Sequence, residues 1–193
     1  MDAVKTVRRC KGMNPKKDIF KSILVLTLLC LTVSGTLAAV NRFTAPVSAA
    51  NAAVREEKTR KSMIPEAEAF IPLAVGELPK SIVNACRAET KDGGCAGYVF
   101  TVRGKGFGGT ITVMCAIADD GTVLRCEAPD VSSETTTLGG KVADPAYSAQ
   151  YVGKDERLEG VDGISGATIT SNAYRQCVRD AFAAYRAVKE VGK

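Results

Sequence analysis

The pattern of apolar and polar positions changes character twice along the chain. Residues 22–41, SILVLTLLCLTVSGTLAAVN, are predominantly apolar and carry no charge. A helix that crosses a bilayer needs roughly 20 such residues, and this run meets that length. Thr44 to Met63 is rich in Ala, Glu, Lys and Arg, which predicts a juxtamembrane helix or stalk. Pro65, Pro72 and Pro79 then punctuate a short irregular stretch. From Tyr98 the pattern alternates with period two. YVFTV predicts a strand, RGKGFGG a turn, and TITVMCAIA a strand with Ile111, Val113, Cys115 and Ile117 on one face. DDG turns the chain into a further strand, TVLRCEA. From Asn172 the period lengthens. Val178, Ala181, Phe182, Tyr185 and Val188 share one helical face, and Arg175, Arg179, Asp180 and Arg186 take the other. Strands followed by a terminal helix give an α+β fold class. The expected division is a basic segment 1–21, a transmembrane helix 22–41, a stalk 42–85 and a domain 86–193. No internal repeats are visible.

Charge adds a direction to this plan. Of the net +5 on 193 residues, all is accounted for by Lys21: seven Lys and Arg stand there against Asp2 and Asp18, leaving nineteen of each sign beyond. The domain is therefore not a nucleic-acid surface. A basic cluster before an apolar span predicts a cytoplasmic N-terminus and places Arg42 onward outside the cytoplasm. A cleaved signal peptide is the competing reading, with Val47-Ser48-Ala49 as its cleavage site. Its apolar core is usually about 7–15 residues, shorter than this run. Both readings export the domain.

The cysteines narrow the chemistry by exclusion. There are seven, with no histidine and no CxxC, so zinc-ribbon and haem-attachment motifs are absent and no metal site is predicted. Cys10 and Cys30 precede or lie in the apolar run. Cys86 and Cys95 bracket the turn-like ETKDGG, and Cys115 and Cys126 face each other across a predicted hairpin. Export permits a bridge in each pair, and free thiols are the alternative. GKGFGG, Gly104 to Gly109, satisfies a GxGxxG pattern, but dinucleotide binding needs that loop to open a helix. Here a strand follows, so the glycines predict a tight turn or bulge.

GVDGISGATITSNAYRQCV, Gly160 to Val178, carries the strongest chemical signal. One hydroxyl, Thr170 or Ser171, is explained as a cap on the terminal helix. That leaves Asp162, Ser165, Gly166, Ala167 and Thr168. Gly166 and Ala167 remove bulk, so backbone N–H groups can approach an anion, and the following helix adds free N–H donors and the positive end of its dipole. A phosphate held there sits beside the Thr168 hydroxyl.

Asp162-Gly-Ile-Ser165-Gly166-Ala167-Thr168 resembles the flavinylation signature D-x-x-[ST]-G-A-T of the FMN-binding domain family. Two upstream segments strengthen the resemblance. GYVFTVRGKGFGGTITVMCAIADDGTV is similar to the family's glycine-rich strand pair. SETTTLGGK resembles a segment usually written E-T-P-G-L-G-x-K, matched by Glu134, Thr135, Leu138, Gly139 and Lys141. Thr136 and Thr137 replace the usual Pro-Gly, and the His often found before the Glu is absent. The resemblance implies FMN joined covalently to Thr168 by a phosphoester, with Ser165, Gly166, Ala167, Thr170 and Asp162 around it and the upstream segment lining the flavin pocket. It implies an external flavin transferase that uses FAD and Mg²⁺, since an unactivated threonine hydroxyl is a poor nucleophile. Lys141 would favour an anionic flavin or flank the phosphate, and Glu134 would disfavour an anionic ring. A solvated surface pair is the alternative for both. The anchor, stalk and length further resemble the electron-transfer subunits of Rnf-type complexes, which link ferredoxin and NAD to ion translocation. Other membrane subunits of such a complex are then the expected partners. A stand-alone exported flavoprotein, or a membrane-anchored module without cofactor, are the other readings. Tyr98, Phe100, Phe107 and Tyr147 are expected in the core rather than against a flavin.

Overall fold

The computed structural model describes residues 15–73 and 78–191, so the basic residues before Pro15, together with Cys10, lie outside the described part. Two compact units divide at Ala50. The first consists of the greater part of helix α1, Pro15–Met63. Its segment Ile19–Met63 contains a stretch of mean hydropathy 2.4, none of it buried, and is long and apolar enough to cross a membrane. Two polar side chains in the span return to their own helix: Thr32 and Thr36 donate to the carbonyls of Leu29 and Thr32. That removes the cost of leaving a hydroxyl unpaired in hydrocarbon. Pro46 lies within the helix and has no N–H to give the preceding turn.

The second unit, from Asn51 onward, is a five-stranded antiparallel sheet in the order β1-β2-β3-β4-β5. The strands are β1 (Ala69–Pro72), β2 (Ile82–Glu89), β3 (Cys95–Lys105), β4 (Thr110–Ile117) and β5 (Val123–Asp130). The expected meander of three strands is present as β3, β4 and β5. Two strands precede it. β1 and the first half of β2 fall in the expected stalk, and the expected domain start at Cys86 cuts through β2. Pro72 is tolerated because β1 is an edge strand, where a missing N–H costs no ladder bond.

Both faces of the central strands are covered, which is why β3 and β4 are almost entirely apolar. Phe100, Val102, Ile111, Val113, Cys115 and Ile117 pack with Val178, Ala181 and Phe182 of the terminal helix α3, Thr168–Val191. On the opposite face Val99, Met114 and Ala116 are covered by Met63 and Ile64 at the end of α1. A short helix α2, Pro145–Ser148, capped by the Asp144 side chain, and the 3-10 turn Ala149–Tyr151 after it bring Tyr147 and Tyr151 against Tyr174 of α3. Burial pushes the phenols of Tyr151 and Tyr174 up from their ordinary values. Arg175 and Asp180, expected on the solvent face of α3, are tied down instead. Arg175 donates to the carbonyl of Val161 and Asp180 accepts from Ser81, each at 2.5 Å. Cys86 and Cys95 are both free. Cys95 packs on the α3 side of the sheet, whereas Cys86 alternates with the inward-facing Ala85 and so points to the other face. Those two do not bridge.

Candidate functional site

The helix α3 begins at Thr168, four residues before the expected start. The first intrahelical bond runs from the Ser171 N–H to the Ala167 carbonyl at 2.9 Å, which makes Ala167 the N-cap. Neither Thr170 nor Ser171 is a cap. Ser171 Oγ accepts the N–H of Ile164, folding the preceding loop back onto the helix. Thr170 is fully buried and donates to Glu134 Oε2 at 2.9 Å. Thr168 and Ile169, on the same turn, remain exposed. Gly166 holds φ +79°, a left-handed conformation that lets the chain enter the helix with no side chain over the first turn.

Glu134 is the centre of this arrangement. It is 8% exposed, and its two oxygens take different partners. Oε2 receives the Thr170 hydroxyl, and Oε1 receives the Gly108 N–H at 2.9 Å. A buried carboxylate is retained only where hydrogen bonds replace its lost water. Glycines make room for it. A Cβ on Gly106 would overlap Glu134 Oε1, one on Gly139 would overlap Glu134 Oε2, and one on Gly108 would overlap the Ser133 carbonyl. The pattern GKGFGG is thus a hairpin turn, closed by the Gly106 N–H on the Gly109 carbonyl, whose bare backbone seats a carboxylate from another loop.

These elements enclose a cleft of about 400 Å³. One wall is Gly166, Ala167, Thr168, Ile169 and Thr170; the other is Glu134, Thr135, Leu138 and Gly139, with Phe107 at the hairpin tip. The structure brings together most of the residues singled out in the sequence. It leaves out Ser165, Asp162 and Lys141. Asp162 and Ser165 are exposed, the former anchored through its backbone N–H to Gln150. Lys141 is exposed on the 3-10 turn Gly139–Ala143. Phe107 and Ile169 are the lining residues that sequence reasoning missed. Phe107, expected in the core, is 77% exposed, because the hairpin tip projects beyond the sheet. Tyr98, Phe100 and Tyr147 are buried as expected.

Chemically, the cleft offers an exposed hydroxyl at the start of a 24-residue helix, small neighbours, and an apolar rim of Phe107, Leu138 and Ile169. Glu134 is the sole charged group among its described lining residues. Residues 106–183 match the family of FMN-binding domains. That segment runs from the hairpin tip through the Glu134 loop to the Thr168 helix. The chain is 26% identical over 179 residues to the G subunit of the proton-translocating ferredoxin:NAD(+) oxidoreductase complex of Clostridium ljungdahlii, covering 86% of this chain and 91% of that one. It is 33% identical over 93 residues to the C subunit of the Na(+)-translocating NADH-quinone reductase of Vibrio vulnificus, over 38% of this chain and 36% of that one. The solved structure of the corresponding C subunit from Parabacteroides distasonis aligns with a TM-score of 0.46 at 22% identity. The alignment covers 54% of this chain and 61% of that structure.

Proposed function

We propose that this chain is a membrane-anchored electron-transfer subunit that carries FMN as a phosphoester on Thr168. The observation that carries the proposal is the exposed Thr168 hydroxyl, opening α3 in a cleft of the matched segment. FMN, when bound, supplies a centre that accepts and passes electrons. The residues present fit it. The first-turn N–H groups of α3 and the hydroxyl of Thr168 suit the phosphate, and Phe107, Leu138 and Ile169 suit an apolar ring edge.

Electrostatics supports a covalent bond over simple binding. No cation lines the cleft among the described residues, and the buried Glu134 repels an anion. Affinity for a free phosphate monoester is therefore poor. A phosphoester removes one of its charges and makes retention independent of affinity. The chain holds no histidine, and the one carboxylate among the described lining residues, Glu134, is bonded to Gly108 and Thr170, so an external flavin transferase performs the attachment. With the apolar segment of α1 in the membrane and the basic residues before it in the cytoplasm, the cleft faces the extracytoplasmic side. There a covalent link also prevents loss by dilution. The similarity to the Clostridium ljungdahlii protein over most of both chains supports membership of an Rnf-type complex, with its other membrane subunits as electron partners.

The test is to produce the full chain with and without a flavin transferase and examine denaturing gels under ultraviolet light. A fluorescent band that depends on the transferase, with one FMN on the peptide containing Thr168, is the expected result. A dark band beside a second substrate that does become fluorescent would refute the covalent reading.

A further inference from the structure

Cys115 and Cys126 occupy directly opposed positions on β4 and β5. Their sulfurs lie 3.2 Å apart, and both side chains are buried on the face of the sheet that packs against α3. Opposed residues of an antiparallel pair have Cα atoms about 4.5–5.5 Å apart, inside the range that a disulfide spans. The other thiols of the second unit have no such neighbour in contact. Cys86 turns to Asn84, Cys95 to the carbonyl of Gly97, and Cys177 packs on Gly104. Cys126 has a second property: it lines a cleft of about 440 Å³ between β5 and the segment that holds Ala143, Pro145, Ala149 and Val152. Cys126 is itself only 1% exposed, so a reagent meets its sulfur only when β5 and that segment part.

We propose that Cys115 and Cys126 close a disulfide, formed by exchange with an oxidised dithiol protein or glutathione disulfide that reaches Cys126 when the segment beside β5 opens. The Cys126 thiolate attacks one sulfur of the oxidant's disulfide; that sulfur stays bound to Cys126 as a mixed disulfide, and the other leaves as a thiol. The Cys115 thiolate then attacks the Cys126 sulfur and expels the second thiol. Two cysteines lose two protons and two electrons, and the oxidant's disulfide becomes two thiols. The pairing is independent of flavin attachment and rests on the proposed extracytoplasmic location only for its oxidant. Burial, and then the neighbouring Cys115, hold the Cys126 thiol well above its ordinary value, so exchange is slow and the finished bond is shielded. That is the character of a structural bond rather than a switch. It fastens β5, which ends the sheet, to β4 beneath the tyrosine cluster.

The full-length protein in detergent is equilibrated with reduced and oxidised glutathione in mild urea, starting from both the reduced and the oxidised forms until the two agree. Acid quench, alkylation after denaturation and peptide mass spectrometry then read each cysteine. The expected result is a cross-linked pair of peptides containing Cys115 and Cys126, lighter by two hydrogens, while Cys86, Cys95 and Cys177 are alkylated. Cys86→Ala retains the cross-link, and Cys126→Ser abolishes it and leaves Cys115 alkylated. Alkylation of Cys115 and Cys126 to the same extent as the others at every glutathione ratio would overturn the proposal. The flavin on the Thr168 peptide is read in the same digest, so the two proposals fail separately.

Discussion

At its C-terminal end α3 is fastened from the outside. Lys189 Nζ lies 2.5 Å from Asp119 Oδ1 and over the rings of Tyr98 and Tyr185, and the Tyr185 hydroxyl donates to the Asp119 carbonyl at 2.8 Å. At its N-terminal end it is fastened from beneath, through Thr170 and the buried Glu134, while the neighbouring Thr168 is left exposed. The first arrangement uses long charged and aromatic side chains at the surface. The second uses glycines, a hydroxyl and one carboxylate. A lock from beneath holds the backbone and leaves the upper face of the turn free for a ligand. The same helix is thus fixed at both ends, and only one end is left with chemistry to do.

This contrast predicts unequal responses to mutation. Glu134→Ala strands the Gly108 N–H and the buried Thr170 hydroxyl, each an unmade bond worth about 1–3 kcal/mol. Denaturant unfolding is expected to show a loss of about 2–6 kcal/mol, with reduced flavin occupancy. Gly139→Ala pushes a methyl group into the Glu134 carboxylate. It should cost about 1–3 kcal/mol by overpacking, again with a loss of flavin occupancy. At the other end Lys189→Ala removes a partly exposed ion pair and should cost less than about 1 kcal/mol. Flavin occupancy should not change. A large occupancy loss in Lys189→Ala would erase the distinction between the two ends.

The smallest effect is in pH. The hydrogen bond from Lys189 holds the Asp119 carboxyl below its ordinary value and, in return, raises the Lys189 ammonium. The depressed carboxyl contributes stability that is present above its unfolded value and lost as pH falls through the folded one. The raised ammonium contributes stability that is present below its unfolded value and lost as pH rises through the folded one. Thermal unfolding of Lys189→Ala should therefore differ from the parent by a few degrees at most near neutrality, and should converge with it in strong acid and strong base.

Much of this is legible in the residues and some is not. The hairpins β3–β4–β5 announce themselves because short apolar runs broken by GKGFGG and DDG are a local signal. β1 and β2 do not. Their signal, AFIP and IVNACRAE, is broken by Pro72, Asn84 and Arg87, and they become strands by pairing in order onto β3. The start of α3 is masked by Thr168-Ile169-Thr170, β-branched residues that disfavour a helix until Ser171 and Glu134 bind the turn. The small residues around Thr168 stand out in sequence. The reason for Gly106, Gly108 and Gly139 does not, since each clears space for a loop brought close by the fold alone. Phe107 is misread because an aromatic residue in the turn between two strands looks like core unless the projection of that turn is known.

The most direct measurement is the intact mass of full-length Thr168→Val and Ser165→Ala, each matured beside the parent chain with an active flavin transferase. Thr168→Val should carry no FMN and retain the parent's circular dichroism and unfolding midpoint, because that side chain supports nothing beneath it. Ser165→Ala, outside the cleft lining, should keep one FMN. FMN still covalently bound in Thr168→Val, or lost only in Ser165→Ala, would contradict the assignment of the attachment site.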